Sequence, residues 1–488
     1  MAVKDLREWL ALLEGEGELH RIAAEVDWHL ELSVILRECL ARRGPAVLFE
    51  NIKDYKSGRC TRLFANGLGN RARLALMFGK SKETPYTELI TTLEQRMKQL
   101  VPPVTVDTGP VKETILHGDE VNVLDFPAPF WHEFDGGRYI NTWCGVVTMD
   151  PETGDHNVGT YRGMIVDAHR IATVLIATQG WGRHFAKHQR TGTPMPVAVV
   201  IGADPAFVFA AGTPFQANEY EIQGAVRQAP VELVKCETSD LMVPAGAEIV
   251  LEGTISTDPD TYEMEGPFGE YTGVYGGIPE RRPVIEVSCI THRNDPIFRG
   301  NIEGPAPGAP NETSMCAYIG YSAVLLDILH SQGHTGVLDI IAAPWTIVKI
   351  HKSYEGQARH VAACLWGTGV ISNNLKTIVV VEDDVDIHNL RQVQAAIANF
   401  ADAEKDYVVY PMHAGCPGDP ALSRDKQNEA MWGGGLGSRL LIDATVSWPD
   451  HPIRPEWGNR RTPPSAIVNP PELVERVHRR WREFGFED

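Results

Sequence analysis

Three runs of β-branched residues, at 197–201, 249–255 and 284–290, constrain what the middle of this chain can become. Each has the length of a strand and is bounded by turns rich in glycine and proline. Branching at Cβ suits a pleated, packed surface better than a helix. The region from 110 to 310 is therefore expected to be rich in strands. Pro102-Pro103 closes off what precedes it, because proline ends helices and resists central strands. This places a first domain at 1–105, with Leu6, Leu10 and Leu13 at helical spacing, a second helix at 31–42 and a short buried strand at 45–50. After the strand-rich region at 106–312, the apolar stretch 314–329 reads as a helix joining two domains, with the linker at 313–332. A strand at 376–382 followed by a helix over Leu390–Phe400 makes 333–488 an α/β domain. Residues 470–486 close the chain as an amphipathic helix with Val474, Val477, Trp481 and Phe484 on one side.

The chain of 488 residues carries a net charge of −19. Such a field repels nucleic acid and anionic membranes, so neither is an expected partner. A phosphate-bearing ligand would need a local cation, a metal or backbone donors. No apolar run approaches the ~20 residues of a membrane span. Residues 1–9 are charged and have no signal-peptide core. The eight cysteines include no C-x-x-C pair. A cytoplasmic protein with reduced thiols is expected.

Two segments carry chemistry. Glu265-Gly-Pro-Phe-Gly-Glu270 brackets a turn that can bring two carboxyls toward one pocket. Nearby carboxylates do not ionise independently, so one keeps a proton beside an ionised partner. Taken alone, the segment fits a solvated turn with two unrelated glutamates better than a site. His156-Asn157-Val-Gly-Thr160-Tyr161-Arg162 sets an amide, a hydroxyl, a phenol and a guanidinium within one strand length. Arginine can grip a carboxylate or phosphate through two parallel hydrogen bonds. A surface Arg paired with an acidic neighbour is the plainer alternative.

These residues resemble the UbiD-like decarboxylases, which use prenylated FMN. The likeness begins at Asp5-Leu-Arg-Glu-Trp-Leu10 and includes Gly44-Pro-Ala-Val-Leu-Phe-Glu-Asn51 and Gly202-Ala-Asp-Pro205. Its most specific stretch runs from Leu241-Met-Val-Pro-Ala-Gly-Ala-Glu-Ile-Val-Leu-Glu-Gly253 to Glu270, and Gly435-Leu-Gly-Ser-Arg439 and Ile442-Asp-Ala-Thr445 extend it. The resemblance implies an α/β and α+β multidomain fold. It places a split β-barrel flavin-binding domain in the centre and an α/β oligomerisation domain at the C-terminus. It also implies a catalytic set of Glu265, Arg162 and Glu270, with Glu265 as proton donor to carbon, Arg162 holding the substrate carboxylate and Glu270 positioning Arg162. The expected reaction is reversible non-oxidative decarboxylation of an aromatic, heteroaromatic or α,β-unsaturated acid.

The resemblance further implies a divalent metal, often manganese, with potassium nearby, to seat the cofactor phosphate. Asn157 and Glu221 match the metal ligands, and Ala211 and Thr213 would give backbone oxygens to potassium. Thr160, Tyr161, Arg162, Gln179, Pro214 and Lys376 would line the cofactor. Asn311 corresponds to a substrate contact in some relatives. One departure stands out. Where the family usually reads Gln-His, with histidine as third ligand, this chain reads Thr178-Gln179-Gly180-Trp181. Either water or His184, one turn on, completes the site, or metal binding is altered. Implied partners are a small carboxylic acid, a flavin prenyltransferase as cofactor supplier, and further copies of the chain as a homodimer or homohexamer.

Other features read as structure. Glu382-Asp383-Asp384 is expected to be a strand end, and His132-Glu133 part of a loop. Trp131, Tyr139 and Trp143 are expected to pack the core. Two rivals remain: a flavin oxidoreductase on a related split barrel, and a non-catalytic assembly member. The substrate pocket is expected to draw on residues 413–426.

Overall fold

The computed structural model describes residues 2–177, 179–276, 278–304, 311–342, 345–369, 375–415, 419, 421–428, 431, 435–462 and 470–486. Thr178, Gly277, the proline-rich 305–310, Gly433 and parts of the 413–426 segment lie outside them.

The β-branched runs form Met195–Ile201, Ile249–Ile255 and Val284–His292, which lie side by side in a nine-stranded antiparallel sheet curled as a half-barrel. Their side chains alternate between two hydrophobic cores. Val197, Val199, Ile201, Ile249 and Leu251 enter one core, and Ala198, Val200 and Val250 enter the other. A sheet buried on both faces explains why the run 197–201 is continuously apolar, whereas Glu286 and Ser288 alternate outward on the third strand.

The N-terminal helix Leu6–Gly15 is capped by Asp5 and buries Leu6, Trp9, Leu10 and Leu13. It precedes a four-stranded sheet of Leu19–Ile22, Ala46–Phe49, Arg62–Ala65 and Ile297–Arg299. The last strand comes from far along the chain and pairs in parallel with Arg62–Ala65. Val104–Thr105 pairs in parallel with Glu232–Lys235. The first and second regions are thus stitched together by main-chain hydrogen bonds.

The joining helix spans Glu312–Ser331 and packs on both the helix Tyr86–Met97 and the strand Val337–Ile341. At its start the Asn311 side chain accepts from Ser314 N at 2.7 Å, and Ser314 Oγ accepts from Asn311 N at 2.9 Å. Midway, Tyr318 donates to His388 Nδ1 at 2.7 Å. His388 Nε2 and Thr87 Oγ1 both reach Asp339 Oδ2, at 2.9 and 2.7 Å. This cluster ties the helix to elements on both sides.

The C-terminal region is a five-stranded mixed sheet ordered Val337–Ile341, Thr346–Ile350, Thr377–Glu382, Gly435–Ala444 and Tyr407–Gly415, with the helix Leu390–Phe400 packed on it. The last helix runs Pro471–Arg479 and gives way to a short 3₁₀ turn at Trp481–Phe484. No described helix is long and apolar enough to cross a membrane.

Candidate active site

Arg162 lies just past the end of the strand His156–Gly159, and Glu265 ends the strand Glu263–Glu265. Arg162 Nε donates to Glu265 Oε1 at 2.9 Å and Nη2 to Oε2 at 2.8 Å. Arg162 Nη1 donates to Glu270 Oε1. One guanidinium therefore sits between the two carboxyls, and the solvated-turn alternative falls away. Tyr139, buried on the neighbouring strand Tyr139–Asn141, donates its hydroxyl to Glu265 Oε1 at 2.7 Å. Burial and the adjacent Glu265 hold the Tyr139 proton in place. Tyr139 was expected to be core packing. Its ring does pack against Phe268, but its oxygen belongs to the site, and sequence carries no signal for that.

The carboxyls are not equivalent. Glu265 is 1% exposed and accepts at both oxygens. Glu270 is half-buried, and only Oε1 takes the arginine. Burial pushes the Glu270 carboxyl above the usual carboxylate range, against the pull of Arg162.

The turn between them is held from behind. Asp135 accepts from Gly269 N at 2.8 Å, and Gly136 N donates to Pro267 O at 2.8 Å. His132 Nε2 donates to Glu303 O at 2.7 Å while Nδ1 faces Asp135 at 3.2 Å. Asn311 is fully buried and its side-chain oxygen caps the joining helix, while its amide nitrogen donates to Tyr271 O at 3.2 Å. The expectation of a substrate contact there is corrected: both ends of the side chain are spent on structure.

A second cluster surrounds Asn157. Its Nδ2 donates to Tyr161 OH at 3.3 Å, and the Tyr161 ring stacks on Trp181 with centroids 4.0 Å apart. The Asn157 amide oxygen fills the room a side chain at 180 would need, since a Cβ on Gly180 would lie 1.6 Å from Oδ1. Val158 N donates to Glu219 Oε2 at 3.2 Å. Burial raises the Glu219 carboxyl above the usual carboxylate range. This bears on the expected ligand pair of Asn157 and Glu221. Asn218 caps the helix Glu219–Arg227, and positions two apart on a helix point about 200° from each other. Glu219 therefore turns toward the strand that carries Asn157, and Glu221 points away from it.

His184 is buried one turn beyond Gly180, and its Nδ1 meets Thr148 Oγ1 at 2.9 Å. Burial holds its ring below the ordinary histidine value. Gln179 precedes the helix Gly180–Thr191 and accepts from Trp181 Nε1 at 3.3 Å. Ala211 ends the helix Pro205–Ala211, and Thr213, buried, donates to Phe209 O at 2.6 Å. Pro214 follows in the connection to Asn218, and Thr160 is exposed beside Tyr161. Lys376 is exposed just before the strand Thr377–Glu382, with its ammonium on Asp419 at 2.8 Å. Among the described residues no three His, Cys, Asp or Glu side chains converge as a metal site. The hard oxygens of Asn157 and Glu219 fit a divalent cation that takes its remaining ligands from water or a ligand phosphate.

The half-barrel fold is that of a class of carboxy-lyases. Patterns of the 3-octaprenyl-4-hydroxybenzoate carboxy-lyase N-terminal, Rift-related and C-terminal domains match residues 10–93, 103–306 and 329–444, and the chain belongs to this UbiD family of enzymes. An uncharacterized protein of Archaeoglobus fulgidus is 33% identical over 99% of both chains. The vanillic acid decarboxylase ShVdcCD of Sedimentibacter hydroxybenzoicus in its open form is 32% identical with a TM-score of 0.84, covering 99% of each chain. The UbiD-class enzyme HmfF of Pelotomaculum thermopropionicum, in complex with FMN, is 30% identical with a TM-score of 0.82, covering 96% of this chain and 98% of that one.

Proposed function

We propose that this chain decarboxylates an aromatic, heteroaromatic or α,β-unsaturated carboxylic acid with prenylated FMN. The observation that carries the reading is Arg162 held between Glu265 and Glu270 with Tyr139 behind. Removing carbon dioxide from an sp² carbon leaves a carbanion that no side chain can stabilise, and the modified flavin supplies that electron sink. Solved complexes of HmfF with FMN, and of an evolved dimeric HmfF with prenylated FMN, support the cofactor.

The protein's own residues do the rest. Arg162 grips the substrate carboxylate and orients the carbon it leaves. Glu265, accepting at both oxygens, fixes the guanidinium plane. Glu270, with a raised carboxyl and one oxygen not taken by Arg162, carries the proton to carbon. This reverses the division of roles drawn from the resemblance, which gave the proton to Glu265. Tyr139 steadies Glu265. Asn157 and Glu219 would hold a divalent cation, manganese by analogy, that would seat the cofactor phosphate, and the Ala211 and Thr213 carbonyls would be available to potassium. The C-terminal sheet serves assembly into a homo-oligomer.

Co-production with a flavin prenyltransferase, followed by turnover of a panel of such acids, tests the reading. Release of carbon dioxide with one proton gained per product is expected. Unmodified flavin with redox turnover would favour the oxidoreductase. Absence of turnover in protein loaded with modified flavin would favour the assembly member.

A further inference from the structure

Behind the catalytic turn lies a third acid that the reading above does not use. Glu303 is buried between the turn and the start of the joining helix. Its Oε1 accepts from Asn301 Nδ2 at 2.8 Å and from Thr313 Oγ1 at 2.5 Å. Its Oε2 is buried and has no partner among the described residues. A carboxyl with two donors on one oxygen and none on the other has its free position ready for a proton. A buried orphan oxygen calls for an explanation.

The segment abuts the catalytic residue directly. A Cβ on Gly304 would lie 2.0 Å from the Glu270 carbonyl oxygen, so the main chain at 303–304 runs against that of Glu270. The other groups facing Glu303 are known. Glu312, on the joining helix, is paired with Arg299 and accepts from Leu68 N at 2.8 Å. Cys316 lies one turn along that helix, and His132 binds the Glu303 carbonyl. No cation pairs with the Glu303 carboxyl among the described residues.

We propose that Glu303 is a positioning residue for the proton of Glu270: its carboxyl stays uncharged through a turnover, leaving Glu270 free to give up and regain a proton. The proposal rests on the decarboxylase reading for its catalytic meaning. A charged Glu303 would add a second anion behind the turn and make Glu270 hold its proton more tightly. Consistent with this, burial first, and the charges of Glu270 and Glu312 after it, push Glu303 up to about 8, against Thr313 and Asn301.

The coupling can be read without turnover. Infrared difference spectra of the full-length wild type and Glu303→Gln should show a protonated-carboxyl stretch at neutral pH that the variant lacks. Its titration midpoint should lie near 8 and fall by about 1 pH unit in Glu270→Gln. Thr313→Val should raise it, which keeps the test available if Glu303→Gln does not fold. A missing band at neutral pH, a midpoint unmoved by Glu270→Gln, or one unmoved by Thr313→Val would overturn the proposal. In active enzyme, turnover should decline on the alkaline side with the same midpoint, and Glu303→Gln should abolish that decline. Failure to turn over any acid while the spectra behave as stated would sink the decarboxylase reading and leave the coupling standing.

Discussion

Arg162 meets Glu265 side-on, with Nε and Nη2 each on a separate carboxylate oxygen at 2.9 and 2.8 Å. This fork–fork pairing fixes direction as well as charge. Removing the arginine strands a buried anion. Arg162→Leu should cost about 3 kcal/mol of stability in urea unfolding. Adding Glu265→Leu should recover much of that loss, and additive losses would show that the pair does not act as a unit.

The two glutamates should separate kinetically. Glu270→Gln should lower kcat by about 10²- to 10⁴-fold, the range of a lost general acid. Glu265→Gln should raise KM more than it lowers kcat, since it loosens Arg162. Equal losses of kcat in both variants would contradict the assignment of the proton to Glu270.

Tyr139→Phe isolates one hydroxyl. The ring stays packed on Phe268, so the loss should be about 1 kcal/mol of stability with a measurable fall in kcat. A wild-type kcat would place the hydroxyl outside the reaction.

Glu219 and Glu221 give a direct comparison for metal retention. Glu219→Gln should lose bound divalent metal on dialysis, and Glu221→Gln should keep it. At the facing position, Gly180→His must expel the Asn157 amide from the space it fills. That overpacking should cost about 1–3 kcal/mol in metal-free protein. Gly180→His should then bind metal more tightly only if the imidazole replaces a water ligand. Equal occupancy and affinity would show that no ligand is missing.

Glu382 supplies a pH test away from the site. Burial raises its carboxyl to about 7 in the folded chain. Between the ordinary carboxylate value and 7 the folded state binds more protons than the unfolded one, so stability falls as pH rises through that window. Glu382→Gln should flatten this slope in denaturant titrations. An unchanged slope would mean the carboxyl is solvated.

Much of this was legible in the residues. The β-branched runs announced the central sheet, and Leu6, Leu10 and Leu13 announced a helix, because local pattern and burial agree there. Glu265, Arg162 and Glu270 were visible as chemistry, although 103 positions separate Arg162 from Glu265. Glu219 carried no signal of its own, because its nearness to the strand His156–Gly159 depends on Val158, 61 residues away. Tyr139 and Glu303 were hidden for a different reason. Their roles depend on contacts 126 and 10 residues away, to Glu265 and Thr313, and nothing in their neighbours encodes those. The strand Ile297–Arg299 was likewise invisible as part of the first sheet, since its partner lies more than two hundred residues earlier.

The joining helix has its start moored at the catalytic loop, through Asn311 on Tyr271, and to the first sheet, through Glu312 on Arg299. Farther along it is pinned to the C-terminal sheet, through Tyr318, His388 and Asp339. Such a helix works as a tiller. Any tilt of the C-terminal sheet that carries Tyr318 with it also shifts the main chain beside Glu270. Substitutions at Asn311 or His388, remote from any substrate, should therefore shift the main chain beside Glu270 without touching the carboxyls themselves.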